Sequence, residues 1–342
     1  MKFNLKHSPQ RHRDTEKIKP KNLGNRYANL CSFFRSPLCL CVSVVKRFCL
    51  SLALLLLAIP AHATLNVFAC EPEWAALTQE LAGDQVSLYT ATSALQDPHR
   101  IEARPSLIAQ ARRANLVVCT GAELEVAWLP VVLRESGNNT VLPGSDGYFE
   151  ASQFVTMLEV PTRLDRGEGD VHALGNPHIQ TDPRNFLPVA EALGKRLAQL
   201  DPGNAAHYQQ RLAAFNRQWH TAIAKWEAQA APLRGISVVV QHKGFPYLSH
   251  WLGLNEVVAL EPKPGLEPSG AYLAQVLDTL QRQPARMVLR AAYQNARPAK
   301  WVAERASIAA VELPYTVGGS DKAKDLYGLF DDTIARLLAG LQ

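Results

Sequence analysis

Residues 204–230 read NAAHYQQRLAAFNRQWHTAIAKWEAQA, and their periodicity decides the architecture. Tyr208, Leu212, Phe215, Trp219, Ile223, Trp226 and Ala230 recur at intervals of three and four, which draws one apolar stripe along a single helix. At ~1.5 Å per residue such a helix spans roughly 40 Å, longer than is needed to cap one sheet, so it reads as a rigid connector between two bodies. Asp201-Pro202-Gly203-Asn204 marks its start, with Asn204 placed to cap it, and Pro232 and Gly235 mark its end.

On both sides of this helix short β-rich runs alternate with helical patterns, the sign of α/β layering with parallel sheets. Strands are expected at 65–70, 86–91, 115–119, 236–240, 256–260, 286–290 and 308–313. The exported chain therefore divides into an N-terminal α/β lobe over 64–203, the linker helix over 204–231 and a C-terminal α/β lobe over 232–342. Two lobes imply a cleft, and in open α/β sheets ligands bind beyond the carboxyl ends of the strands.

The 342 residues include 47% hydrophobic and 20% charged side chains, which is enough for two packed lobes. The net charge of +5 is misleading. Up to Arg47 the chain has eleven Lys and Arg against Asp14 and Glu16, so that segment carries +9 and the remainder is acidic. The basic balance belongs to a leader and gives no ground for a nucleic-acid partner. Lys46-Arg47, the run Leu52–Ala58 and Ala61-His62-Ala63 have the order of a secretory signal over 44–63, cleaved after Ala63 and too short to span a membrane. Residues 1–43 are polar and basic, fit a start codon placed too far upstream, and are assigned no fold. A periplasmic location follows. Of the six cysteines only Cys70 and Cys119 lie in the exported part, each closing an apolar run. Two buried small residues is the favoured reading; a disulfide across neighbouring parallel strands is the alternative.

Seven histidines follow the signal. His99 in Asp97-Pro98-His99, His178 in Asn176-Pro177-His178 and His242 after Val238-Val239-Val240-Gln241 all fall on loops next to expected element ends. Imidazoles held in this way suit a divalent metal, with zinc favoured by three such donors. Taken singly, each reads equally as a hydrogen-bonded loop residue, and spacing this wide is no motif. His207 and His220 sit off the apolar stripe and are expected in solvent; His250 reads as packing or surface. His172 ends the short acidic stretch Asp165–His172, a solvated loop able to sample metal ions in passing.

These blocks resemble the periplasmic solute-binding proteins of zinc and manganese ABC transporters. The likeness rests on Asp97-Pro98-His99 with Arg104-Pro105-Ser106, on Asn115–Val118 with Gly121-Ala122-Glu123-Leu124-Glu125, on Asn176-Pro177-His178 with Asp182-Pro183-Arg184-Asn185, and on Asp201–Ala205 with Tyr208. In the C-terminal lobe it rests on His242–Leu248 and Pro264–Ser269. The resemblance implies two doubly wound, Rossmann-like α/β lobes joined by one long interlobe helix. It implies a metal in the cleft between His99 and His178 of one lobe and His242 of the other. Manganese-selective relatives typically carry a carboxylate at the third position; His242 there implies Zn(II) as the transported ligand over Mn(II).

The chain departs from the family in two places. A fourth ligand, Asp in a Leu-Asp-Pro sequence after the last strand, is replaced here by Leu313 in Val311–Asp321; Asp321 is the candidate substitute, with water or Glu312 as alternatives. The long His-rich loop of many zinc members is reduced to 165–172. Ser269 is placed to cap the next helix, and Glu267 to accept a hydrogen bond from a metal-bound imidazole. The implied function is a monomeric, non-catalytic carrier that hands Zn(II) to a membrane permease driven by a cytoplasmic ATPase. A metal chaperone or adhesin on the same scaffold is the alternative. A secreted zinc hydrolase would need a His-Glu-x-x-His or similar signature, which the sequence lacks.

Overall fold

The computed structural model describes residues 64–163, 169 and 172–342. The leader over 1–43, the signal segment over 44–63 and most of the 165–172 loop lie outside the described residues. Those described belong to a single compact unit.

Two four-stranded sheets, parallel throughout, organise the chain. The first holds β1 (Leu65–Ala69), β2 (Val86–Thr90), β3 (Leu116–Cys119) and β4 (Tyr148–Glu150) in the order β2-β1-β3-β4; the second holds β5 (Ser237–Val240), β6 (Asn255–Ala259), β7 (Met287–Ala291) and β8 (Ala309–Leu313) in the order β6-β5-β7-β8. The orders are the same, so each sheet has a switch point between its first and third strands, where a crevice opens at the carboxyl edge. All seven expected strands are present. β4 was missed because Tyr148-Phe149-Glu150 offers a single buried side chain and no apolar run.

Central strands with near-continuous apolar sequence bury both faces, as parallel sheets require. Leu65, Val67 and Ala69 of β1 and Val238 and Val240 of β5 point into one shared core, together with α1 (Pro72–Ala82), α4 (Phe186–Leu200), α6 (Pro246–Leu252) and α9 (Leu326–Ala339). Phe68 and Val117 turn the other way, beneath α2 (Pro105–Arg113) and α3 (Leu129–Ser136). Val239 and Val288 do the same beneath α7 (Gly270–Arg282) and α8 (Ala296–Ala306). Because one apolar core runs through both sheets, opening the lobes widely would expose it, which favours a stiff scaffold.

The stretch quoted above forms α5 (Ala205–Gln229). Its N-terminal half is tied to the first lobe, where Arg211 Nε donates to Glu80 O at 2.8 Å and His207 Nε2 pairs with Ala82 O at 2.9 Å. Its C-terminal half is tied to the second, where Lys225 Nζ and Trp226 Nε1 both donate to Asp331 Oδ1, at 2.8 and 2.6 Å. Between them Trp219 packs against Phe186 and Phe330, ring centroids 5.5 and 5.7 Å away. Two local expectations are corrected. His207 is half-buried and bonded, because α1 ends against it. Asn204 makes no side-chain cap; its amide donates to Asp201 Oδ2, which Tyr208 Oη also bonds at 2.6 Å. His220 and His250 are exposed.

Cys70 and Cys119 are joined in a disulfide, against the favoured reading of two separate thiols. The register explains it. Ala69 stands opposite Val118 in the parallel pair β1–β3, so the next residue on each strand meets its counterpart. No helix among the described residues is long and apolar enough to cross a membrane.

Candidate metal centre

His99, His178 and His242 reach one point from three separate loops at the carboxyl edges of the sheets. One nitrogen from each lies within 4.8 Å of the others, and all three residues are buried. His99 follows β2 in a tight turn in which Arg100 N donates to Asp97 O; Trp128 Nε1 holds the Pro98 carbonyl at 3.0 Å. His178 opens a 3-10 turn and is fixed by its own N–H to Asn176 Oδ1 at 3.1 Å and by Thr181 Oγ1 to its carbonyl at 2.9 Å. His242 stands just past β5, where Gly244 N donates to its carbonyl at 2.7 Å.

Two of the rings are oriented by carboxylates. His99 Nδ1 is 2.9 Å from Asp97 Oδ1, and His242 Nδ1 is 2.7 Å from Glu261 Oε2. A carboxylate on Nδ1 keeps the proton there and leaves the Nε2 lone pair for a metal, the arrangement that metal-binding histidines usually show. The orphaned atoms fit this assignment: His99 Nε2 is buried with no hydrogen-bond partner among the described residues. His178 Nε2 and His242 Nε2 face each other at 3.3 Å. Donor nitrogens of a tetrahedral zinc site with ~2.0–2.1 Å bonds stand roughly 3.3 Å apart, so the spacing of this pair fits the ion.

Burial pushes the His178 imidazole well below its ordinary value, and the charges of His99, His242 and His172 push it further. It is therefore neutral and ready to bind. Burial alone would raise the Asp97 carboxyl, but the hydrogen bond and charge of His99 outweigh it and hold the group below its usual range. The wall behind His178 is aromatic. Tyr315, at φ 70°, sets its ring 5.6 Å from that imidazole and 5.4 Å from Phe245. Its hydroxyl and Gln180 Oε1 are buried without hydrogen bonds among the described residues, and both residues line a cavity of about 10 Å³, room for one water.

The structure does not bring Asp321 to the three histidines. It is exposed on a turn closed onto itself by Gly318 N to Ala323 O at 2.6 Å and Gly319 N to Thr316 O at 3.1 Å. Glu312 is engaged by Arg290, and Leu313 is buried in the core. Glu267 is exposed too, and Glu261 bonds the His242 ring in its place. The signal for Glu261 was the strand register: Val240 pairs with Ala259, so positions 242 and 261, two beyond each, lie side by side. Ser269 caps α7 as expected, accepting from Tyr272 N at 3.2 Å.

Sequence reasoning also missed three buried carboxyls beneath the first sheet's edge. Burial raises Glu73 and Glu125 to about 7 and drives Glu71 well above its ordinary value, helped there by the charges of Glu125 and Glu73. Glu125 accepts from Thr120 N at 2.8 Å and Gly121 N at 3.1 Å, while Glu73 accepts from Thr316 Oγ1 on the loop after β8.

Two α/β lobes with a buried set of three converging histidine nitrogens point to a ligand-capturing protein of the two-lobed solute-binding class. A family model described as ZnuA, zinc-uptake complex component A, periplasmic, matches residues 67–340, and the chain belongs to that family. Its members are non-enzymatic metal-binding components of ABC transporters, which work with a membrane permease and an ATPase. Among curated relatives, the manganese ABC transporter substrate-binding lipoprotein scaA of Streptococcus gordonii is 28% identical over 44% of this chain and 46% of its own length. The metal ABC transporter substrate-binding lipoprotein ScbA of Streptococcus cristatus is 22% identical over 81% of this chain and 89% of its own. A crystal structure of ZnuA aligns with a TM-score of 0.69 at 21% identity, covering 82% of this chain and all of that one. A manganese-bound periplasmic metal-binding protein from candidatus liberibacter asiaticus aligns at 0.66 with 17% identity, over 81% of this chain and all of its own. These structural likenesses show the two-lobed fold.

Proposed function

We propose that the protein captures Zn(II) in the periplasm with His99, His178 and His242 and delivers it, as a monomer, to an ABC permease. The observation that carries the reading is the convergence of three buried imidazole nitrogens, two of them 3.3 Å apart, with no carboxylate among the described residues in the group. Imidazole suits zinc, whereas manganese prefers oxygen donors, so zinc is favoured even though several relatives are named for manganese. Asp97 and Glu261 act through the rings they orient. Residues 44–63 serve as the export signal, removed after Ala63.

Metal-stripped protein titrated with zinc and with manganese tests this. One zinc per chain, held against excess manganese by the parent and weakened in each of His99→Ala, His178→Ala and His242→Ala, supports the carrier. Tighter binding of manganese, or variants that bind as the parent does, overturns the metal or the site.

A further inference from the structure

Among the described residues a second group of donors converges besides the three histidines. The sulfurs of Cys70 and Cys119 and a carboxylate oxygen of Glu125 lie within 4.8 Å of one another, and all three residues are buried. Glu71, next to Cys70, is 3% exposed, and its Oε1 is buried with no hydrogen-bond partner among the described residues. Both carboxyls meet at Thr120, the residue after Cys119: Glu71 Oε2 accepts from Thr120 Oγ1 at 3.2 Å and Glu125 Oε1 from Thr120 N at 2.8 Å. The group stands where β1 and β3 end side by side, the switch point at which open α/β sheets hold ligands.

The donors are held from behind. Cys70 N donates to Val118 O at 2.8 Å, and the Cys70 carbonyl accepts from Thr92 N at 3.1 Å and Thr92 Oγ1 at 2.9 Å. Trp74 Nε1 fixes Thr120 Oγ1 at 2.8 Å. The turn that carries Glu125 begins at Gly121, at φ 79°, where a Cβ would stand 2.7 Å from Ser152 Oγ. Burial raises both carboxyls, with the charges of Glu125 and Glu73 adding to the effect at Glu71. A divalent cation beside them would lower both.

While the disulfide stands, neither sulfur is a thiolate and no ion can use it. The two Cα atoms are 4.8 Å apart. Thiolates on one tetrahedral zinc, with ~2.3 Å bonds, stand roughly 3.8 Å from each other, a separation the two side chains reach by turning about χ1 with the strands fixed. We infer that reduction of Cys70–Cys119 converts this corner into a second metal site, in which two thiolates, Glu125 and Glu71 hold one soft divalent ion, Zn(II) or Cd(II). Bond and ion exclude each other, so the occupancy of the site follows the redox state of the chain. With a water-soluble phosphine as reductant, the S–S bond breaks, phosphorus takes the oxygen of a water molecule and becomes phosphine oxide, and the two protons of that water go to the sulfurs. The arriving ion then displaces both thiol protons to solvent. Thiolate donors favour zinc and cadmium over manganese.

The test uses the full chain carrying Cys31→Ser, Cys39→Ser, Cys41→Ser and Cys49→Ser, so that Cys70 and Cys119 are its only cysteines. The protein is stripped of metal, unfolded in urea, reduced with the phosphine and refolded in its presence; an oxidised sample passes through the same steps without it. Reduced protein is expected to bind one zinc more per chain than oxidised protein, and with Cd(II) to show the ultraviolet charge-transfer band of a cadmium thiolate. Adding Cys70→Ser and Cys119→Ser should abolish both the extra ion and the band, and Glu125→Gln should keep the band while releasing the ion to a weaker chelator. Equal stoichiometry in the two redox states overturns the inference, as does an extra ion without the band, or a Glu125→Gln variant that holds the ion as the parent does. A reduced chain that fails to recover the circular dichroism of the oxidised one overturns it too, because the site needs the β1–β3 register. The readout is a difference between redox states, so it stands apart from the carrier reading: loss of metal at the histidines lowers both counts equally.

Discussion

The two sheets share one strand order and each ends in a histidine braced by a carboxylate, yet what surrounds those ends differs. At the first sheet, β1 and β3 are stapled by Cys70–Cys119, and the buried carboxyls of Glu71, Glu73 and Glu125 lie just beyond. At the second, Leu313, Phe245 and Tyr315 make an apolar wall. The same topology therefore delivers similar imidazoles with different support: a covalent and ionisable brace on one side, a packed aromatic one on the other. The disulfide and the raised carboxyls lie on the first side, while on the second the Tyr315 ring packs against His178.

The strongest way to break this comparison is to remove one donor from each lobe. His178→Ala and His242→Ala should each cost about three orders of magnitude in zinc affinity, ~4 kcal/mol, measured by chelator competition. Equal losses would mean that the lobes contribute as partners; a loss confined to one would place the metal on a single lobe. Removing the disulfide by Cys70→Ser with Cys119→Ser should lower unfolding stability in urea by about 2–4 kcal/mol and leave zinc stoichiometry at one.

Glu73 sharpens the same contrast through pH. Its folded pKa, about 7, lies above the ordinary 4.5, so the folded state holds its proton more tightly than the unfolded chain. Its contribution is fully present below pH 4.5 and is lost as pH rises through 7. Glu73→Gln should remove on the order of 2–3 kcal/mol of that decline between pH 5 and 8, seen as a flatter profile of melting temperature against pH. Smaller still, Asp97→Asn and Glu261→Gln should each weaken zinc binding roughly 10–100-fold without changing its stoichiometry, by loosening the tautomer and tilt of one ring.

Much of this was legible before the fold was known, and the limits have physical causes. The stripe from Tyr208 to Ala230 and the Val-rich runs identified α5 and the seven longer strands, because buried elements carry their periodicity in the chain. His99, His178 and His242 stood out as loop residues beside those elements. Asp321 and Glu267 misled because a carboxylate near a Gly-Gly turn or a loop end has the right chemistry at an unspecified orientation, and closure of the 318–323 turn decides where Asp321 points. Glu261 depends on register, which one sequence does not state. The disulfide depends on the same fact: Cys70 and Cys119 are bonded because β1 and β3 are neighbours in register.

The most direct test is diffraction from crystals of the zinc-loaded protein, recorded at the zinc absorption edge. A single anomalous peak at ~2.0–2.1 Å from His99 Nε2, His178 Nε2 and His242 Nε2 is the predicted result. A peak elsewhere, or one coordinated from a single lobe, would contradict the account of a metal held between two lobes.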